Sequence, residues 1–379
     1  MRQLNILKVD FDKKRNYGLD ILRALAIFFV LNAHSAYFFT ANSFLFKGLT
    51  FFNLDGVALF FVLSGFLIGG ILIKAFDGQP TRFRTLFNFW IRRWFRTLPN
   101  YFLILTILVL LSLHYKTITT FSQVKSYYYF FANFKDALRD YLFPESWSLA
   151  VEEWFYLLIP VFIFLLVAAY RFKPKSSFLI VAVLIIVSVT AFRYYRLMHW
   201  PHITNAQIDS SFRKQVCTQL DSIMFGFIGA FLAHYYSNQW KKFKKTLFFL
   251  GIFLSYFSLL HYVFGYFGVI YYCVFIYTIQ SIGFLCLFPL VTELKSGQGF
   301  VYRMVTRMSI ISYSVYLINY SLVKYYMLGF LNRHFFNNLE DGYRIPVQYC
   351  SFWLITIVGS ILLYKYFERP FMALRDIAF

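Results

Sequence analysis

The stretch Arg23 to Ser35, RALAIFFVLNAHS, sets an arginine and a histidine eleven residues apart in a run that is otherwise lipid-soluble. Extended to Asp20–Phe39, the run is long enough to cross a hydrocarbon core of roughly 30 Å as a helix. A strand is excluded, because an isolated strand leaves backbone polar groups unpaired in lipid. At 3.6 residues per turn, eleven residues amount to about 1,100° of rotation, so Arg23 and His34 share one face, about 16 Å apart along the axis. Asp20, one turn ahead of Arg23, is placed to pair with it. Ionisable groups inside a span are costly enough that function is their default reading. Two structural alternatives stay open at this point: Arg23 reaching back to the membrane surface, and His34 making a helix-to-helix hydrogen bond.

The remainder of the 379 residues continues the pattern, with 59% hydrophobic, 23% aromatic and only 14% charged residues, too apolar for an ordinary soluble domain. Ten spans are expected, over Asp20–Phe39, Phe51–Ile73, Leu98–Tyr115, Trp147–Tyr170, Ser177–Phe192, Cys217–Tyr236, Thr246–Val263, Phe267–Thr292, Met308–Phe330 and Pro346–Tyr366. An even number puts both termini on one side. Most of the 37 Lys and Arg residues fall on that side too, as in Lys241, Lys242, Lys244 and Lys245, so the positive-inside rule predicts cytoplasmic termini. The net charge of +20, which in a soluble protein would suggest nucleic acid, thereby becomes evidence of topology, and no nucleic-acid partner is expected. The predicted fold is an all-α, polytopic transmembrane helix bundle of about ten spans in the inner (cytoplasmic) membrane. Residues 1–19 form a polar, basic cytoplasmic segment without the form of a cleavable signal, and residues 20–379 form a single transmembrane domain.

Cys217, Cys273, Cys286 and Cys350 are widely spaced in or beside apolar runs, which predicts core packing. His199 and His202 in HWPH have no further clustered ligand nearby, and no metal site is expected.

Three further stretches carry charge where charge costs most. FFNLDGVALFFVLSGFLIG places Asp55 near the outer end of the second span, open to either packing or chemistry, while Gly65, Gly69 and Gly70 are suited to close helix approach. TLFNFWIRRWFR reads as an amphipathic helix at the inner membrane surface. Its Arg93 and Arg96 lie one turn apart with Arg92 beside them, a cluster suited to phosphate oxygens or to simple anchoring. ESWSLAVEEWFYLLIP puts Glu152 and Glu153 just inside the fourth span, at its outer end, about 100° apart around the helix, so that one can face a cavity while the other bonds a neighbour. Ser148 lacks the G-x-S-x-G context of a hydrolase nucleophile.

In order along the chain, NYGLDILRALAIFFVLNAHS, LFFVLSGFLIGGIL, FWIRRWFRTLPNY, WSLAVEEWFYLLIP, ISYSVYLINYSL and YKYFERPF resemble the acyltransferase family 3 of membrane-bound acyltransferases, whose bacterial members often O-acetylate surface polysaccharides. The family's Arg-x10-His pattern falls on Arg23 and His34, its Arg-x-x-Arg on Arg93 and Arg96, and its W-S-L-x-x-E on Trp147, Ser148, Leu149 and Glu152. One departure is Asn319, which stands where many relatives carry a histidine.

The resemblance implies transfer of a short acyl group, most often acetyl, from cytoplasmic acyl-CoA to a sugar hydroxyl of an envelope polysaccharide, lipopolysaccharide or glycolipid. On this reading acetyl-CoA is a donor substrate and no cofactor is permanently bound. Arg23, Arg93 and Arg96 are expected to hold the CoA phosphates, His34 to act as general base or transient acyl carrier, Glu152 to orient or tune His34 or to bind acceptor hydroxyls, and Asp55 and Glu153 to meet the acceptor. A glycan or lipid-linked sugar transporter is the competing reading, and paired broken helices in inverted repeats would favour it. The sequence leaves oligomeric state open.

Overall fold

The structure is a computed structural model that describes residues 9, 15–40, 43–51, 53–77, 83–118, 120–134, 142–200, 203–264 and 268–378. Helix is the only regular structure among them. The long helices are α1 (Tyr17–Ala36), α2 (Gly56–Phe76), α3 (Phe83–His114), α4 (Ser146–Phe164), α5 (Pro174–Met198), α6 (Val216–Tyr235), α7 (Lys244–Phe264), α8 (Ile276–Val291), α9 (Gly299–Ile318) and α10 (Asp341–Leu363). Eight stretches among the described residues are long and apolar enough to cross a membrane. The spans expected over Thr246–Val263 and Met308–Phe330 are helical as α7 and in α9 with its continuation, but they fall outside those eight.

Polar residues start the two helices that frame the site. The Asn16 side chain accepts a hydrogen bond from the Leu19 N–H at the start of α1, and Asp55 accepts from the N–H groups of Val57 and Ala58 at the start of α2. The most extensive helix pairing in the bundle is that of α2 with α6. Two glycines make it close: a Cβ on Gly65 would lie 1.9 Å from the Ile223 carbonyl oxygen, and one on Gly226 would lie 1.9 Å from that of Val62. Gly69 also faces α6, against Ala230, whereas Gly70 meets nothing within 4 Å and has no part in the close approach expected of it.

Other expectations are corrected by the same geometry. The basic segment around FWIRRWFR is no separate surface helix. It lies within the first half of α3, whose 32 residues run unbroken through Pro99 and extend about 48 Å, well beyond a hydrocarbon core. Cys273 and Cys286 are buried as expected, but Cys217 is half-buried and Cys350 exposed. Asp221 lies within α6 in a fully buried ion pair with Arg193 of α5. Arg193 also donates to the carbonyls of Thr218 and Val274, tying α5 to α6 and to the helical segment that leads into α8.

Candidate active site

One face of α1 carries Arg23 and His34 into two neighbouring cavities. The smaller, of about 100 Å³, is lined by Arg23, Arg93, Arg96 and Glu152 together with Ser148 and Tyr313. The larger, of about 710 Å³, is lined by His34 and Asp55 and by residues from several helix ends. Only Val57 and Tyr316 line both.

In the smaller cavity, Arg23 is held by donation to the Ser309 hydroxyl at 3.3 Å and by Asp20 at 3.8 Å. Asp20 is buried and shared: it accepts two bonds from Arg15, at 2.5 and 3.0 Å, and one from Ser309 at 2.6 Å. The pairing expected of Asp20 with Arg23 therefore forms, but Arg15 takes the closer contact. Arg93 and Arg96 face the cavity from α3 while Arg92 points away and is exposed, as their spacing on a helix requires.

The two glutamates of α4 divide as their 100° offset predicts. Glu152 faces the arginine-lined cavity and accepts from Ser64 at 2.8 Å and Tyr156 at 2.9 Å. Glu153 accepts from Thr97 of α3 at 2.7 Å and lines neither cavity. Glu152 and His34 thus occupy different cavities, so Glu152 does not touch the imidazole.

Around His34 the arrangement is more crowded. Its Nδ1 lies 2.5 Å from Asn319 Oδ1, its ring packs at a tilt against Tyr320 with centroids 4.7 Å apart, and its carbonyl accepts from Lys324 at 2.6 Å. Asn319, Tyr320 and Lys324 come from a wide helical turn, Asn319–Met327, that continues α9. Glu145 anchors that turn by accepting from the N–H and hydroxyl of Ser321, at 2.9 and 2.5 Å. Across the cavity Asp55 pairs with Arg213 at 2.9 Å, and Arg213 lies over the Trp147 ring. Burial opposes ionisation of Asp209, but Arg213 and Lys214 beside it outweigh that and hold its carboxyl below the usual range.

The structure brings together the three arginines that the motifs grouped, Arg23, Arg93 and Arg96, but adds Glu152 to them rather than to His34, and it puts Asp55 with His34; sequence spacing gives no hint of Arg213, Glu145 or Lys324. A signal does exist for Tyr316 and Asn319, which fall in the SYSVYLIN segment. His199 is engaged with the Tyr195 carbonyl at 2.8 Å, and His202 lies outside the described residues.

The fold and these enclosed charges define a polytopic helical membrane protein with an ionisable interior. The family model described as Acyltransferase domain matches residues 16–365, and the chain belongs to that family, the one its motifs resemble. The chain is similar to the O-acetyltransferase OatA of Staphylococcus aureus, 26% identical over 371 residues that cover 93% of this chain and 56% of the relative. It is also similar to the peptidoglycan O-acetyltransferase OatA of Listeria monocytogenes, 30% identical over 166 residues, 40% of this chain and 25% of that protein. The chain thus spans about half the length of the curated relatives it matches. No solved structure matches it.

Proposed function

We propose that the protein moves an acetyl group from acetyl-CoA at the cytoplasmic face of the inner membrane to a hydroxyl of an envelope glycan. The observation that carries this reading is the pair of cavities along α1, one lined by three arginines and the other by His34, meeting at Tyr316 and Val57. Arginine forks suit CoA phosphates, and a 100 Å³ cavity suits the thin thioester arm rather than the nucleotide. The 16 Å or so between Arg23 and His34 is a length that arm can span.

The larger cavity, with Asp55, Arg213 and several aromatic rings in its wall, receives the acceptor. His34 takes the proton of the acceptor hydroxyl as its oxygen attacks the thioester carbonyl. The C–S bond then breaks, and the CoA thiolate leaves and recovers the proton. A transient acyl-histidine is the variant route, in which His34 attacks first and the acceptor second. The relative named for peptidoglycan makes peptidoglycan fragments the first acceptor to try. The excess of Lys and Arg near the Arg23 end favours ten spans with both termini cytoplasmic.

The test is transfer of labelled acetyl from acetyl-CoA by the purified protein in detergent. Wild type should label the glycan, and His34→Ala should lose about 10²-fold or more of that rate. Undiminished transfer by His34→Ala would rule out the chemistry. Labelling of Lys244 and His199 from the same side of sealed vesicles would rule out the topology.

A further inference from the structure

We infer that Asn319 is a positioning residue that fixes the tautomer of His34, leaving Nε2 as the basic nitrogen; this rests on His34 being the base. The amide of Asn319 cannot be turned round. Its Nδ2 donates to the main-chain carbonyls of Val315 at 3.1 Å and Tyr316 at 2.8 Å, and carbonyls only accept. Reversing the amide would set its oxygen against two other oxygens. Oδ1 is therefore the atom presented to His34 Nδ1, and because an amide oxygen only accepts, Nδ1 must carry the proton.

A neutral imidazole with its proton on Nδ1 has its lone pair on Nε2. Among the described residues Nε2 makes no hydrogen bond, and the ring lines the larger cavity. Asn319 is itself fully buried, and the tilted contact with the Tyr320 ring and the fixed turn behind it leave the imidazole little freedom.

A histidine at position 319, as the family resemblance leads one to expect, could donate or accept and could titrate. Asparagine held this way only accepts from His34 and does not titrate at any working pH, so this chain keeps one tautomer without a charged partner. The charges that also face the cavity come from every side: Lys324 on the same turn, Asp55 ahead of α2, Glu145 ahead of α4, and Asp209, Arg213 and Lys214 ahead of α6.

The experiment has two arms on the full chain. In protein with 15N-labelled histidine, assigned by comparison with His34→Gln, the neutral His34 resonances should show a protonated Nδ1 and an unprotonated Nε2. The reverse assignment overturns the proposal without any Asn319 variant. In the second arm, Asn319→Leu should lose about 10²-fold in kcat with little change in acetyl-CoA binding. Asn319→Asp, which keeps the acceptor but adds charge, should restore much of the rate and move the acid limb of the pH profile upward, since a carboxylate favours the imidazolium. An inactive His34→Ala beside a fully active Asn319→Leu with an unchanged limb refutes the role of Asn319 alone. An active His34→Ala refutes the base itself.

Discussion

The hydroxyls of Tyr316 and Ser148 stand 2.6 Å apart, joining α9 to α4 at the partition between the two cavities. The Tyr316 hydroxyl also reaches the Glu145 carbonyl at 3.2 Å, and its ring packs edge-on against Phe60. The two cavities are therefore separated by a side chain that both helices hold in place.

If that ring keeps acceptor-side water from the thioester, Tyr316→Ala should raise hydrolysis of acetyl-CoA in the absence of glycan and lower the fraction of acetyl transferred. Tyr316→Phe keeps the ring and should hold the ratio near wild type, while lowering stability by about 1 kcal/mol through the lost hydrogen bond. The hydrolysis-to-transfer ratio decides, and an unchanged ratio in Tyr316→Ala removes the partition from the mechanism.

Arg92, Arg93 and Arg96 offer an internal control, because only the last two line the smaller cavity. Charge-assisted hydrogen bonds contribute roughly 1.5–3 kcal/mol each. Arg93→Ala and Arg96→Ala should each weaken acetyl-CoA binding by about tenfold or more, whereas Arg92→Ala should leave it near wild type. Calorimetric titration of the three variants reads this directly, and equal losses in all three would mean that the segment anchors the membrane and nothing else.

The helical nature of the bundle was legible because lipid imposes it: long apolar runs have no other way to satisfy their backbone. The shared face of Arg23 and His34 was legible from helical period alone, and so was the divergence of Glu152 from Glu153. Two things were not. Where α3 begins is hidden because its basic, aromatic first half is helical for the same reasons as a surface helix, and Pro99, which in sequence reads as a break, does not interrupt it. The separation of Glu152 from His34 depends on the relative depths of α1 and α4, which no single helix encodes. Pairings such as Asp55 with Arg213, 158 residues apart, are equally invisible to local spacing.

Gly65 and Gly70 lie five residues apart on α2 in opposite circumstances. A methyl on Gly65 would collide with the Ile223 carbonyl at 1.9 Å, and that oxygen belongs to backbone that cannot step aside cheaply. Gly65→Ala should therefore push α2 and α6 apart, costing about 1–3 kcal/mol as overpacking does. Gly70→Ala meets open space and should be neutral or slightly stabilising, since alanine favours helix by up to about 1 kcal/mol over glycine. Thermal midpoints in the same detergent test the contrast, and equal midpoints for both variants would contradict the contact.

The Arg193–Asp221 pair has neither side chain exposed, and its worth lies in being complete. Desolvating two charges cancels much of their attraction, but removing one leaves the other buried and unpaired, at a cost of about 3–5 kcal/mol. Arg193→Leu alone should therefore lower the thermal midpoint sharply and reduce yield, with Asp221 left without a cationic partner. Asp221→Leu should do the same, since Arg193 would keep the carbonyls of Thr218 and Val274 and the Tyr277 ring but no opposite charge. The double variant Arg193→Leu/Asp221→Leu buries no lone charge and should recover most of the lost midpoint. Neither residue lines the two cavities, so the acetyl-CoA affinity of whatever folds should stay close to wild type. A double variant that melts at the sum of the two single losses would show that the residues act independently, and would assign the cost to packing rather than to charge.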